Sequence, residues 1–259
     1  MSNPLKHKQL GFTLVELVTV IILLGVVGTF SSRFISDNVV LYQASVNQNE
    51  RLNDARFVLN RMSKELESAI AFSVQEDGSC IKFAPFTAAG QYLNSVSGQT
   101  DVDLIMDPLS RSGSRAVSTF INQRLSIHTL DANAFYQSAS GSIATINSYA
   151  ASGANATQAQ VGLDAELTMD SSVSRYFIFN REVRYCLESS KSELLRYEKV
   201  GTGIETRALM MNDLSAGSSM SLTAASQFSN AILKLNFNFL LRDGSDIKFE
   251  HQVVMTNVP

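Results

Sequence analysis

One long apolar stretch lies near the start of the chain, and mixed, periodic sequence follows it. Residues 17–30 contain no charged side chain, and Glu16 is the only charge among the 19 residues of 12–30. Coiled into a helix, those 19 residues would extend ~28 Å, which is close to the hydrocarbon thickness of a bilayer. The pattern predicts a membrane-spanning helix.

This helix is predicted to continue beyond the bilayer. Residues 12–84 contain no proline, and residues 12–77 contain only two glycines, Gly25 and Gly28. Proline and glycine are the residues that most often end or bend a helix. We therefore expect the helix to reach about Phe72, with a bend or a local break at the two glycines.

The part of this helix after residue 51 is amphipathic. Apolar side chains recur there every three or four residues, and charged side chains lie between them. The apolar positions are Leu52, Ala55, Leu59, Met62, Leu66 and Ala69. Such a stripe suits either a coiled-coil seam or a face packed on the protein's own sheet. Packing on a sheet is the preferred interpretation, because the stripe is short and β-like sequence follows it.

After residue 78 the hydrophobic period changes to two, which is typical of β-strands. Residues 232–241 and 247–253 alternate in this way on either side of a turn sequence at 242–245. The two segments predict a β-hairpin.

Three further strands are predicted at 176–180, 182–187 and 194–199. The fold class is therefore expected to be α+β, with a long N-terminal helix packed on a C-terminal antiparallel sheet. Ser, Gly and Ala crowd residues 137–159, and this composition predicts a long surface loop within the β-rich part.

Composition and charge argue against several classes of function. Charged residues make up 17% of the 259 residues and the net charge is −3, so the basic excess of nucleic-acid-binding proteins is missing. The three histidines, His7, His128 and His251, have neither metal-ligand nor catalytic-triad spacing. No nucleic-acid partner, no cofactor and no enzymatic activity are predicted.

The first eleven residues are mostly polar and carry Lys6 and Lys8, which favours a cytoplasmic location for them. An ordinary signal peptide has an uninterrupted apolar core and a small-x-small cleavage site. In this chain Glu16 interrupts the apolar stretch, and residues 28–32 offer only a weak cleavage site. A carboxylate within lipid costs about 3 kcal/mol. Either Glu16 has a function, or the segment is a plain membrane anchor with an incidental carboxylate.

The sequence Gly11-Phe12-Thr13-Leu14-Val15-Glu16 resembles the processing motif of type IV prepilins and type II secretion pseudopilins. The resemblance implies cleavage after Gly11 by a prepilin peptidase, N-methylation of Phe12, and a glutamate at the fifth position of the mature chain. It also implies a type IV pilin-like fold.

Four segments follow from this resemblance. Residues 1–11 are the leader peptide, 12–35 the transmembrane half of the helix, 36–72 its amphipathic half, and 73–259 a periplasmic β-rich head. The expected location is the bacterial inner membrane, crossed once with the N-terminus in the cytoplasm, or a pilus at the cell surface. The implied partners are major and minor pilins, the prepilin peptidase and methylase, the inner-membrane assembly platform and membrane lipid.

Glu16 also has a physical role within this interpretation. Cleavage leaves a positive amine on Phe12 at the start of a helix, where negative charge is favourable. Glu16 lies one turn away and can pair with its own terminus or with that of a neighbouring subunit in a fibre, so that neither charge stays unpaired in an apolar core. The family resemblance favours the neighbour.

Residues 183–187 and 194–198 resemble the paired strands of the larger minor pilins and of J-type pseudopilins. The resemblance leaves two structural functions open, a low-abundance pilin in pilus assembly or a minor pseudopilin at the tip of a pseudopilus. A head that binds a surface, a sugar or incoming DNA is a further alternative, although no aromatic cluster or basic stripe favours binding of a glycan or of DNA. The size of the head, ~185 residues, favours a minor subunit over a major one.

Cys80 and Cys186 are the only cysteines, and both follow the predicted anchor. That placement suits one disulfide in an oxidising compartment, although two buried free thiols are the alternative. We expect the bond, joining the end of the helix to the sheet.

The weak candidates for calcium ligands are Asp101, Asp103 and Asp107, because related pseudopilins bind calcium through loop carboxylates. These residues lack the spacing of an EF-hand, and they equally suit the solvent-exposed face of a strand.

Overall fold

The computed structural model describes residues 12–127, 132–137, 141–152, 157–226, 229–241 and 244–255. The chain divides into two compact units, residues 1–50 and 51–259. Helix α1 (Leu14–Glu67) is the N-terminal element and supplies most of the described part of the first unit. It passes through Gly25 and Gly28 as regular helix, so the expected break at these glycines is wrong. Each glycine costs only about 1 kcal/mol in a helix, and apolar helix formers surround both.

The C-terminal part of α1 packs on the head along an apolar stripe. Ala55, Val58, Met62 and Leu66 are fully buried. Leu59, which the periodicity placed in the centre of the stripe, is only partly buried, and Val58 takes that place. The amphipathic helix packed on its own sheet is therefore as predicted, with the face rotated slightly toward Val58.

α1 ends at Glu67, earlier than the expected Phe72. Beyond it the backbone of residues 68–70 pairs with that of residues 84–86. The Ile70 N–H donates to the Ala84 carbonyl at 3.0 Å, and the Phe86 N–H donates to the Ser68 carbonyl at 2.8 Å. A short 3₁₀ turn (Ala71–Ser73) completes the connection. The helix stops here because these backbone groups are bonded to the β-rich part instead.

A five-stranded antiparallel sheet forms the first layer of the head. In sequence order its strands are β1 (Gln75–Asp77), β2 (Cys80–Phe83), β9 (Arg181–Glu188), β10 (Glu193–Val200) and β11 (Thr206–Met211). They lie side by side in the order β1-β2-β9-β10-β11. The strands predicted at 182–187 and 194–199 are β9 and β10, confirmed to within one residue at each end.

A three-stranded antiparallel sheet forms the second layer, in the order β12-β13-β14. Its strands are β12 (Ser219–Thr223), β13 (Ala231–Leu240) and β14 (Asp246–Met255). β13 and β14 are the predicted hairpin, although residues 242–243 of its turn lie outside the described residues. Phe237 and Phe239 are fully buried and join the cluster that contains the buried stripe of α1.

A closed six-stranded barrel makes up the rest of the head and was not predicted. Its strands are β3 (Phe86–Leu93), β4 (Asp101–Ile105), β5 (Arg124–Ser126), β6 (Ile143–Ser152), β7 (Gln158–Leu163) and β8 (Arg175–Phe179). Around the barrel they follow the order β3-β4-β7-β6-β5-β8. Two short helices, α2 (Pro108–Arg111) and α3 (Ala132–Tyr136), lie in its connections. The predicted strand at 176–180 is β8.

The barrel is an insertion between two neighbouring strands of the first sheet. β2 ends at Phe83 and β9 begins at Arg181, yet these strands pair directly, with Phe83 opposite Val183. The barrel has its own apolar core, which includes Leu104, Leu125 and Tyr176. The sheet therefore remains continuous across the insertion.

The surface loop expected at 137–159 is wrong, because β6 and the start of β7 occupy most of it. Ala144, Ile146 and Tyr149 point into the barrel core, and smaller polar residues alternate with them. Residues 138–140 and 153–156 lie outside the described residues. β-propensity depends strongly on neighbours, and each strand of a closed barrel has a pairing partner on both sides. A sequence rich in Ser and Ala can therefore form a strand here.

Candidate functional site

The processing motif lies at the start of α1, where Thr13 caps the helix. The Glu16 N–H donates to Thr13 Oγ1 at 3.3 Å, and the Leu17 N–H donates to the Thr13 carbonyl at 3.2 Å. Thr13 and Glu16 thus hold the first and fourth positions of a capping-box sequence. The Thr-x-x-Glu spacing in the sequence is the signal that predicts this cap.

Glu16 is exposed, and no hydrogen bond or ion pair of its carboxylate is found in the part of the chain that the structure describes. Phe12, the expected new N-terminus, is 79% exposed. Gly11 and the rest of the leader lie outside the described residues. The arrangement leaves a carboxylate one turn from the predicted terminal amine and available to a partner.

The helix around this carboxylate has an apolar surface. By length and composition α1 contains a segment that can cross a membrane, and no residue of that segment is buried. Among its exposed side chains, Leu24 and Phe34 have 66% and 70% of their surface accessible. A contiguous apolar surface of this kind marks contact with lipid or with another protein.

A buried charge network holds α1 on the first sheet. Arg196, on β10, is 5% exposed and contacts the Glu65 carboxylate of α1 at 3.0–3.1 Å. The Tyr185 hydroxyl donates to the same carboxylate at 2.9 Å, and Arg61 Nε donates to it at 3.3 Å. Burial raises the pKa of Tyr185, and the negative charge of Glu65 raises it further. Because buried charges are costly unless paired, the network favours one rotation of the helix on the sheet.

Arg196 also neutralises a second carboxylate. Its Nη1 donates to Glu198 at 2.8 Å, and this hydrogen bond lowers the pKa of Glu198.

A second contact lies at the first residue of the second unit, where Arg51 donates to Asn212 Oδ1 at 2.8 Å and to the Asp213 carboxylate. α1 is thus tied to the head at both ends of its buried stripe.

Cys80 and Cys186 form a disulfide. The two residues lie directly opposite each other on β2 and β9, with their Cα atoms 4.0 Å apart. The bond therefore lies within the first sheet, rather than joining the helix end to it as expected. It closes the chain over a sequence separation of 106 residues, a loop that includes the inserted barrel.

The candidate calcium ligands are not brought together. Asp107 is buried and caps α2, accepting from the Leu109 and Ser110 N–H groups at 3.1 and 3.3 Å, and it pairs with Arg115 at 3.4 Å. Asp101 and Asp103 lie along β4. Among the described residues, no three His, Cys, Asp or Glu side chains are grouped closely enough to hold a metal ion. The calcium hypothesis for Asp101, Asp103 and Asp107 therefore loses its geometric basis.

Among the described residues, no histidine lies in a metal-binding arrangement either. His251 Nε2 lies 3.1 Å from Ser63 Oγ, where β14 meets α1, and His128 lies outside the described residues. The contact is one more polar link between helix and sheet.

Comparison with known proteins locates one family signature. The family described as "Prokaryotic N-terminal methylation motif" matches residues 6–32. No curated protein and no solved structure matches the chain. The matched segment contains the basic part of the leader from Lys6, the Gly11-Phe12 bond, Glu16 and the apolar start of α1. The chain therefore carries the N-terminal methylation motif of prokaryotic prepilin-like proteins, joined to a pilin-like fold of one long apolar helix and an antiparallel β head.

Proposed function

We propose that the chain is the precursor of a minor, low-abundance type IV pilin that takes part in pilus assembly, with a structural rather than a catalytic role. It is cleaved after Gly11, N-methylated on Phe12 and polymerised through α1. The observation that carries the proposal is the methylation motif at 6–32, which runs directly into an exposed apolar helix with one carboxylate near its start.

Assembly in this proposal depends on charge pairing in an apolar environment. When the subunit leaves the membrane and joins a fibre, α1 remains surrounded by apolar surfaces. The methylated amine of Phe12 therefore needs a counter-charge. The Glu16 carboxylate has no side-chain partner among the described residues of its own chain. We therefore assign it to the amine of a neighbouring subunit.

The head supports a minor rather than a major subunit. It contains two sheets and an inserted six-stranded barrel, which is bulky for a subunit repeated along a whole fibre. Its paired strands β9 and β10 resemble those of the larger minor pilins. Together with residues 51–67 of α1 they suggest the minor pilin O of mannose-sensitive haemagglutinin pilus systems, and we propose a role of that kind, with a contribution to surface adhesion. The protein would sit in the inner membrane with its head in the periplasm until it joins other pilins.

Replacing Gly11 by tryptophan tests the processing step. The variant should accumulate as full-length precursor in the membrane, because a bulky side chain blocks the bond that the peptidase cuts. Gly25→Leu is the matched control, since a side chain added at Gly25 meets no atom within 4 Å. Immunoblots should show precursor only for Gly11→Trp. Equal processing of both variants would contradict the proposal.

The same strand pair resembles J-type pseudopilins, so a minor pseudopilin at the tip of a type II secretion pseudopilus is the second candidate. Site-specific cross-linking in cells that have both systems distinguishes the two. Capture of pilins supports the first function, and capture of pseudopilins supports the second.

A further inference from the structure

A cleft of about 420 Å³ opens where the barrel joins the first sheet. The apolar side chain of Phe86 lines it, and two arginines, Arg115 and Arg181, contribute its charge. None of the described residues that line it is acidic. The cleft is thus positively charged, partly apolar and far along the chain from the N-terminal motif.

Arg115 is held in place by the backbone of the barrel. A β-bulge in β3 takes Thr87 out of the ladder, and Arg115 Nη1 donates to the freed Thr87 carbonyl at 2.6 Å. The guanidinium lies over the Phe120 ring, 5.6 Å from its centroid. The contact with Asp107 uses the same Nη1, at 3.4 Å. Within the described residues, Nε and Nη2 of Arg115 remain available to a ligand.

Arg181 is only weakly neutralised. Its nearest carboxylate oxygen, on Glu198, is 3.5 Å from Nη1, and Glu198 is held more closely by Arg196 at 2.8 Å. Its Nε is buried and has no hydrogen-bond partner among the described residues. The side chain as a whole is 40% exposed, so the remaining part of the guanidinium can bind an acceptor in the cleft.

The uncharged polar side chains that line the cleft already have hydrogen-bond partners within the protein. The Thr87 hydroxyl donates to Gln123 Oε1 at 2.7 Å, and Gln123 Nε2 donates to the Thr119 carbonyl at 2.7 Å. The open hydrogen-bonding capacity of the cleft is therefore concentrated in the two guanidinium groups, which are the side chains best suited to bind planar oxyanions.

We propose that this cleft binds a small carboxylated ligand of about the size of a sugar acid. Two arginines select the carboxylate, and the volume of the cleft and its apolar Phe86 side chain favour an organic ligand over a bare inorganic ion. The head would then recognise a small acid in addition to its role in assembly. This inference does not depend on the proposed pilin function, because it involves neither the helix nor the motif.

Titration calorimetry on the full-length protein in detergent tests the proposal. D-galacturonate is the probe, D-galactose is its uncharged counterpart, and sulfate and inorganic phosphate represent simple oxyanions. We expect saturable binding of galacturonate that weakens as salt is added, and no binding of galactose. Failure of galacturonate to bind, equal binding of galactose, or tighter binding of sulfate or phosphate would each overturn the proposal.

Variants locate the binding to the cleft. Arg181→Gln and Arg115→Lys should each raise the Kd for galacturonate about tenfold, because each removes charge-assisted or forked hydrogen bonds. Arg207→Gln, at an exposed arginine on β11, is the matched control and should change the Kd less than twofold. Near-ultraviolet circular dichroism of the tyrosines verifies folding, and if Arg115→Lys unfolds the barrel, Arg181→Gln decides alone. Unchanged affinity in Arg181→Gln, or an equal loss in Arg207→Gln, would refute the site.

Discussion

Glu65 is the side chain whose replacement should most weaken the attachment of α1 to the head. It accepts hydrogen bonds from Arg196 and Tyr185, which are both buried, and from Arg61 on its own helix. Glu65→Gln keeps the size of the side chain and removes its charge. Arg196 then retains Glu198 as its remaining anionic partner.

The expected cost follows from that remaining contact. Removing the only partner of a buried charge costs about 3–5 kcal/mol. Because Glu198 still neutralises Arg196, we expect Glu65→Gln to lower the free energy of unfolding by about 2 kcal/mol. Glu65→Leu should cost about 1 kcal/mol more, because it also leaves the Tyr185 hydroxyl without its acceptor.

Urea unfolding of the full-length protein in detergent measures this cost. The chain has no tryptophan, and six of its seven tyrosines lie in the head, so near-ultraviolet dichroism of these tyrosines reports the folded head. Glu67→Gln, at an exposed position on the same turn, is the control and should stay within about 0.5 kcal/mol of the wild type. A double-mutant cycle with Arg196→Met should give a coupling energy above about 1 kcal/mol. A coupling near zero would show that the network does not hold the helix.

Three further predictions concern the disulfide, the response to acid and the helix carboxylate. Replacing Cys80 and Cys186 by serine should lower the free energy of unfolding by roughly 4–5 kcal/mol in the chain-entropy model, measured by urea unfolding, and an unchanged midpoint would contradict it. Arg196 lowers the pKa of Glu198, so the stability that this pair contributes should be present above about pH 4.5 and should be lost as the pH falls below that value. Thermal melts at a series of pH values should show this loss, and the melting temperature of Glu198→Gln should depend less on pH. Glu16→Leu should still be cleaved but should cross-link poorly to partner pilins, and normal cross-linking would make the carboxylate incidental.

Features encoded by neighbouring residues could be predicted from the sequence. The motif from Gly11 to Glu16 lies within six residues, and the β13–β14 hairpin has regular alternation on both sides of its turn. The apolar helix could be predicted in the same way, because its composition alone indicates contact with lipid. In each case one local pattern is sufficient.

Features that depend on contacts distant in sequence could not be predicted. The barrel strands are short or rich in small residues, and their partners are set by closure of the barrel rather than by their own periodicity. Glu65 and Arg196 are 131 positions apart, so no local pattern links them. Arg115 and Arg181 likewise line one cleft only because the barrel is inserted between β2 and β9.

Mass spectrometry of the N-terminal peptide from membrane-purified protein tests the central claim most directly. We expect the mature chain to begin at Phe12 and to carry one methyl group on its terminal amine. A mature chain that begins near Ser31 would instead identify an ordinary signal peptide, and a chain that keeps residues 1–11 would identify an unprocessed membrane anchor. Either of these two results would contradict the assignment of this protein as a prepilin-like precursor.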